Sequence, residues 1–504
     1  MKKIIAVLFM LILTTVFILN ITSCGDKNIQ NDTTDDITAN NNSPANESSD
    51  EGGNISNPAD GKYDRFAIKE DIPELDFGGR TFTFFAPYHG MYIDYYFTQE
   101  EDTGDKMNDV LWKRQRNVED RFNITINPII KGAWDSTFGT VSRAVKAGDD
   151  AYQLAMTHNA AGVYTLSADG YIRDWNTIPY VDFSKPWWTK LMNDKMTIDG
   201  ILTVATSDFV LFDPLVIFFN KGMAQNLDLG NIYQLVKDGK WTWTKLTELA
   251  KVASKDLDGD GKFTKEDQYG LVTHVGWRLI AAQYACDMYN TTMGDQGYPV
   301  YALKNEKYGS LLETLYDLLY SGNQTFIGDW NDSYAQEAPI SMGTDRVLFL
   351  IDALCVAQRY RAYDVEFGIL PYPKYDDAQE GYFSYSQTGF MVIPNTADPE
   401  FVGAVSEALA AESHRLTVPA YYDVVLTSKV ARDEESVDML DIIFNGATTD
   451  FGQCFGNWNA LVEAMPNILA KKSTDYVSFI EKYEESFNLQ MRNAYDKVRE
   501  NYGK

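Results

Sequence analysis

From residue 80 to residue 157 the apolar side chains switch repeatedly between a period of two and a period near 3.6. Arg80-Thr81-Phe82-Thr83-Phe84-Phe85-Ala86 alternates and stops at Pro87, as a strand does. Met107, Val110, Leu111, Val118 and Phe122 then recur at helical spacing in the stretch that begins at Gly104. Asn123 to Ile130 alternates again and reads as a second strand. Phe138 to Lys146 reads as a helix closed by Gly148, because glycine accepts the left-handed cap without strain. Tyr152 to Thr157 is a third strand. Strand, helix, strand, helix, strand at these lengths buries its apolar faces as a parallel sheet covered by helices on both sides. The pattern predicts further strands at 201–206, 214–219, 366–370 and 389–393, with helices near 244–254, 308–320 and 400–411. Beyond about residue 400 the chain reads as mostly helical, and no internal repeat is present.

The chain has 504 residues, and single hydrophobic cores stop growing near roughly 250–300 residues, so two lobes are expected. Its formal charge of −28 argues against a nucleic-acid partner, which demands Lys/Arg-rich faces. Four Cys exclude a disulfide scaffold. Four His, with no HExxH and no CxxC, leave little material for a zinc or thiol-redox site. No Gly-x-Ser-x-Gly elbow, P-loop or dinucleotide fingerprint is present either.

The amino terminus reads as an address. Lys2 and Lys3 precede an apolar run from Ile4 to Leu19, interrupted by Thr14 and Thr15. That run is short of the roughly 20 residues a spanning helix needs and fits the apolar region of a signal peptide. Ile21-Thr22-Ser23-Cys24 follows and resembles a bacterial lipobox, which implies cleavage after residue 23 and lipidation of Cys24. An ordinary signal peptide that contains a cysteine is the plain alternative. Residues 24–63 are rich in Asn, Asp, Ser, Thr and Gly with almost no large apolar side chain, the composition of a disordered tether.

Several segments carry a wider resemblance. They are Phe77-Gly78-Gly79-Arg80-Thr81-Phe82, the stretch from Gly104-Asp105 to Arg121-Phe122-Asn123-Ile124, and Val216-Ile217-Phe218-Phe219-Asn220-Lys221. Trp241-Thr242-Trp243, Gly368-Ile369-Leu370-Pro371 and Val392-Ile393-Pro394 continue the series. In this order they are similar to the family 1 extracellular solute-binding proteins of ABC importers, a group that includes sugar-binding lipoproteins. The resemblance spans most of residues 77 to 430. It implies a two-lobe α/β fold of the periplasmic-binding-protein kind, with parallel-sheet cores, helices on both faces and a ligand cleft between lobes. It further implies a lipid-anchored protein on the outer face of the cell membrane that delivers solute to ABC permease subunits without breaking a bond. The expected lobes are 64–215 plus 352–388, and 216–351 plus 389–504, with crossings near 214–220, 350–353 and 387–393.

One local pattern points to a metal. In the run from Asp256 to Asp267, Asp256, Asp258 and Asp260 occupy positions 1, 3 and 5 of a 12-residue calcium loop. Gly261 supplies the sharp turn, Lys262 a backbone carbonyl at position 7, and Asp267 the last carboxylate. Position 12 is Asp rather than the bidentate Glu of a regulatory loop, with Glu266 one place early. The expectation is one structural Ca²⁺; the plain alternative is an Asp/Gly turn.

Ten Trp, 31 Tyr and 27 Phe suit a carbohydrate, whose apolar C–H faces stack on aromatic rings while its hydroxyls seek polar partners. In open α/β sheets ligands sit beyond the carboxyl ends of the strands. That rule selects Tyr88 and His89, His158 and Asn159, and His274 and Trp277 as ligand contacts. Trp330 and Trp458, in Asn/Asp/Gly-rich segments, are candidate rim aromatics. Asp208, Asp345 and Gln387 are candidate hydroxyl partners. Trp241 and Trp243 flank a helix start and are expected in the core. Two other functions compete with solute delivery: a secreted calcium-dependent glycan-acting enzyme, and a surface lipoprotein that captures glycans without transport. An enzyme of that kind needs two carboxyl groups facing each other across the cleft, and no local motif singles out such a pair.

Overall fold

The computed structural model describes residues 64–503 apart from 89–96, 98–100, 102, 160–161, 329–341, 361–362, 364, 387–388, 427–433 and 457–458. Its strands are β1 (Arg80–Ala86), β2 (Ile124–Ile130), β3 (Leu154–Thr157), β4 (Leu215–Asn220), β5 (Tyr269–Thr273), β6 (Thr291–Met293) and β7 (Pro299–Tyr301). They continue with β8 (Thr325–Ile327), β9 (Val347–Ala353), β10 (Phe367–Leu370), β11 (Ser384–Tyr385), β12 (Phe390–Val392) and β13 (Ala447–Thr448). The helices that matter below are α1 (Lys106–Phe122), α2 (Thr137–Ala147), α3 (Val163–Ala168), α4 (Lys190–Met196) and α5 (Trp243–Ala253). After them come α6 (Trp277–Ala285), α7 (Glu306–Tyr320), α8 (Pro399–Glu412), α9 (Glu434–Asn445) and α10 (Tyr476–Asn501).

Two main sheets carry the architecture. The first has the order β12-β3-β1-β2 and the second β10-β4-β9-β5-β8. β1 runs parallel to β2 from Arg80↔Ile124 to Ala86↔Ile130, and parallel to β3 at Phe84↔Leu154. Phe82, Phe84 and Phe85 are all buried, on both faces of the strand, because helices cover both sides. The intervening α1 starts where the Asp105 side chain accepts the Asn108 N–H, and ends where Asn123 turns left-handed at φ 52° to feed β2. Among the described residues no helix is long and apolar enough to cross a membrane.

The sheets are mixed rather than wholly parallel. β4 runs antiparallel to β9 and β10, and β12 antiparallel to β3. The physical reason is the route of the chain. β4 and β12 are the strands by which the backbone arrives from the other sheet. Each enters beside the carboxyl end of a neighbouring strand, Leu215 opposite Ala353 and Phe390 opposite Thr157, so it runs against that neighbour. Sheet membership therefore departs from the expected lobe boundaries. β10 pairs with β4 in the second sheet and β12 with β3 in the first. Residues 350–353 stay inside β9, so no crossing falls there. Residues 201–206 form no strand, only isolated bridges at Ile201↔Ile198 and Ala205↔Met391.

A buried carboxylate braces the first lobe. α8 lies against the loop 178–188 so closely that a Cβ on Gly403 would sit 2.1 Å from the Pro179 carbonyl oxygen. One turn on, the fully buried Glu407 accepts the indole N–H groups of Trp187 at 2.9 Å and Trp188 at 2.8 Å, and the Asp182 N–H at 3.3 Å. Burial pushes its carboxyl up from 4.5 to about 7, against the pull of those donors. A raised folded pKa means that this group's stabilising contribution is complete below about pH 4.5 and is lost as pH rises through about 7. Glu407→Gln should lower stability overall and remove a slope of up to about 1.4 kcal/mol per pH unit between those limits. Urea unfolding at pH 5 and pH 7.5 measures it, and an unchanged slope in the variant would refute the assignment.

The long α10 touches both halves. Its first turns meet the second lobe, where Asn488 accepts the Tyr301 N–H at 2.8 Å and Glu481 and Glu484 pair with Lys304. Its last turns meet the first lobe: Tyr495 donates to Asp199 at 2.6 Å, Arg499 pairs with Asp199, and Asn501 donates to the Ala168 carbonyl.

Candidate functional site

The two sheets present closely similar corners. β3 ends in Thr157-His158-Asn159 and β5 in Thr273-His274-Val275. In each, the threonine hydroxyl turns onto the carbonyl of the histidine that follows, at 3.3 Å and 3.4 Å. In each, the buried imidazole packs against a tryptophan: His158 on Trp134 at 4.8 Å, His274 on Trp277 at 6.0 Å. The His274 ring folds over Gly276, where an added Cβ would lie 2.7 Å from it. Burial, reinforced by the nearby Arg278 charge, drives the His274 imidazole down to about 3. It is therefore neutral at physiological pH, with one ring nitrogen donating and the other accepting.

Below that corner a charge is held in place. Arg278 pairs with Asp352 at 2.7 Å, both almost fully buried. The register of β5 against β9, Val272↔Leu350, puts Asp352 level with His274. Asp213, just before β4, accepts the Cys355 N–H at 2.8 Å and the Tyr421 hydroxyl at 3.3 Å.

A chain of contacts runs from the first corner to α6. The Asn159 amide nitrogen donates to the Tyr385 hydroxyl at 2.7 Å. The Tyr385 ring stacks on Tyr284 of α6, with centroids 4.5 Å apart and planes 10° from parallel. Tyr284 donates to Gln453 at 3.2 Å and accepts from Asn290 at 3.0 Å. Beside this chain lies a cavity of about 140 Å³ lined by α4 of the first lobe and by Tyr289, Thr291 and Asp450 of the second. There the Lys195 ammonium stands 3.8 Å from the Tyr289 ring centroid. Aromatic faces, the neutral His274 imidazole, an amide and hydroxyls suit an uncharged polyhydroxylated ligand.

The other sequence-selected residues scatter. Tyr88 follows β1 but is 60% exposed, tied to the body by its N–H to the Gly132 carbonyl. Asp208 lies toward the cleft end of the first sheet, where it accepts from His414 Nδ1 at 2.6 Å. Asp345 does not join the site. It precedes β9, roughly 20 Å along the strand direction from the His274 level at about 3.3 Å per residue, and its carboxylate accepts from Asn220 at 2.6 Å. His89, Trp330, Gln387, Trp458 and Cys24 lie outside the described residues. Sequence reasoning missed Tyr284, Tyr385, Lys195 and the Arg278–Asp352 pair. Nothing marks one tyrosine among 31, and only the register of β5 on β9 reveals the ion pair.

The acidic loop sits apart, in the second lobe. Asp256, Asp258 and Asp260 bring carboxylate oxygens within 4.8 Å of one another. Asp256 accepts the N–H groups of Gly259 at 2.7 Å and Gly261 at 2.8 Å, and Gly261 takes φ 80°, which glycine alone adopts without strain. Asp267 is buried and accepts the Leu257 and Thr264 N–H groups, closing the loop at its base. Three converging hard-oxygen donors fit Ca²⁺ better than Mg²⁺, which demands a tighter octahedron.

No known protein-family profile matches the chain, and no curated protein matches it in sequence. Solved structures do match. An ABC substrate-binding protein from Listeria monocytogenes in complex with cycloalternan aligns over 84% of this chain and 99% of its own, at 11% identity and TM-score 0.50. The cyclic alpha-maltosyl-1,6-maltose binding protein from Arthrobacter globiformis aligns over 84% and 100%, at 12% identity and TM-score 0.51. A sugar transporter from Rhizobium etli in an open conformation aligns over 83% and 99%, at 13% identity and TM-score 0.52. At such identities the likeness defines the fold: the chain has the two-lobe α/β architecture of ABC solute-binding proteins. The first two of these neighbours are named as binding proteins and the third as a transporter.

Proposed function

We propose that this protein captures a neutral oligosaccharide between its two lobes, outside the cytoplasm, and hands it to the permease subunits of an ABC importer. One observation carries the reading. The carboxyl ends of β3 and β5, in a fold shared with sugar-binding proteins, carry aromatic rings and hydrogen-bonding groups, and the first connects through Asn159, Tyr385 and Tyr284 to α6, which starts at the second. The nearby carboxylates Asp352 and Asp213 already serve Arg278, Cys355 and Tyr421, which favours binding over acid–base chemistry. Differential contacts from both lobes would favour a closed state when sugar is bound. The test is a thermal-shift screen with maltotriose, acarbose and cyclic tetrasaccharides. A true ligand at 100 times its Kd adds about 2.7 kcal/mol of stability. No shift with any oligosaccharide, alongside a shift with a peptide or charged solute, would overturn the reading.

Two further features belong to this proposal. Cys24 carries the lipid that holds the tethered protein at the membrane, and mass spectrometry of the mature amino terminus tests it. The loop of Asp256, Asp258, Asp260 and Asp267, with the Lys262 carbonyl, holds one Ca²⁺ that braces the second lobe. Chelation should cost about 1–2 kcal/mol of stability, as expected for an extracellular site of millimolar or slightly tighter affinity. Sugar affinity should stay unchanged. A melting temperature indifferent to chelator would remove the metal.

A further inference from the structure

We infer that Asn159 and Tyr385 together transmit occupancy of the cleft to the segment that joins the lobes, Asn159 touching the sugar and Tyr385 acting through Asn159. The inference rests on the oligosaccharide-binding reading above. Tyr385 lies on β11, in the stretch by which the chain leaves β10 of the second sheet and enters β12 of the first. Its ring is held from the second lobe by the stack on Tyr284, itself fixed by Asn290 and Gln453. Its hydroxyl accepts the Asn159 amide just beyond β3 of the first sheet. One side chain of the connecting segment is thus gripped from both sides, and the two grips differ in kind. A π-stack tolerates sliding, whereas a hydrogen bond of 2.7 Å does not.

Asn159 carries the mark of an incomplete site. It is fully buried, and its side-chain oxygen has no hydrogen-bond partner. Buried amide groups are almost always satisfied, because leaving one unpaired forfeits its hydration without return. Turning the amide over does not repair this. The Tyr385 hydroxyl serves either end, so the unpaired atom would become the nitrogen instead of the oxygen. A sugar hydroxyl both donates and accepts, and completes the amide in either orientation. With the hydroxyl on one end, the amide loses its freedom to turn, and the bond at its other end fixes Tyr385 and β11 with it. Tyr385 is therefore a positioning residue, remote from the ligand.

Calorimetric titration of wild type, Asn159→Leu, Tyr385→Phe and the double variant, with whichever oligosaccharide of the panel shifts the melting temperature, tests this. Each single variant should lose about 10-fold in affinity, and the double variant little more than either alone. Asn159→Asp keeps an acceptor for the tyrosine and another for the sugar, and should lose less than about threefold. Amide exchange in β11 should slow on sugar binding in wild type, and should not slow in Tyr385→Phe. Full affinity and wild-type slowing in Tyr385→Phe would overturn the coupling even if Asn159→Leu binds weakly. Full affinity in Asn159→Leu would overturn it entirely while leaving oligosaccharide capture intact. If no oligosaccharide binds wild type, the functional reading fails first and this inference with it.

Discussion

Asp352→Asn is expected to lower stability by about 3–5 kcal/mol, the cost of stripping a buried guanidinium of its counter-charge. Arg278 is 1% exposed and Asp352 3% exposed at the side chain, so water cannot take the place of the lost carboxylate. Part of the guanidinium lies over Trp277, at 5.6 Å from the ring centroid, which offsets only a fraction of the loss. The control is the pair replaced together, Arg278→Met with Asp352→Leu. Well-packed apolar substitutes for a buried ion pair are often neutral or better, so the double variant should recover most of the stability. Denaturant unfolding of the three proteins decides it. A single variant that loses under about 1 kcal/mol would show that the charge finds another partner or reaches solvent.

Two tryptophans should respond in opposite ways. Trp241 is fully buried, donates its indole N–H to the Pro371 carbonyl at 2.8 Å and packs against Phe349 of β9. Trp241→Ala is expected to cost about 3–5 kcal/mol of stability and to leave sugar affinity unchanged in whatever fraction folds. Trp277 is half-buried beside His274, at the carboxyl end of β5. Trp277→Ala should leave the melting temperature nearly in place while reducing sugar affinity about 5- to 150-fold, the loss of roughly 1–3 kcal/mol of stacking surface. Melting curves and titrations of both variants separate the outcomes. Equal losses of affinity would remove the site from the end of β5.

The elements were legible because their periods are clean. The first strand is Arg80–Ala86 as its alternation predicts, and helices placed at 244–254 and 400–411 occur at Trp243–Ala253 and Pro399–Glu412. Sheet membership was not legible. Phe390–Val392 and Leu215–Asn220 are fully buried apolar runs with no face to distinguish one sheet from the other. Their assignment depends on which edge the chain reaches first after crossing. The strand-end rule could place His158, Asn159, His274 and Trp277 just beyond β3 and β5 because it needs only the place where a strand stops. It missed Tyr284 and Tyr385, which are brought in from a helix and from a two-residue strand by packing that no local pattern records. The cluster of Asp256, Asp258 and Asp260 was readable for the opposite reason: its carboxylates lie within one short segment.

The carboxyl-terminal helix has a consequence for how the protein comes into being. Tyr495, Arg499 and Asn501 anchor the first lobe, and they are synthesised about a hundred residues after its last strand. The first lobe's own strands are complete at Val392, yet its flank at Ala168 and Asp199 stays uncovered for the length of about a hundred more residues, some 5–20 seconds of elongation. Maturation therefore cannot proceed lobe by lobe along the growing chain. It waits until this helix has been made, and a nascent chain halted before residue 495 should remain open to protease at both lobes together.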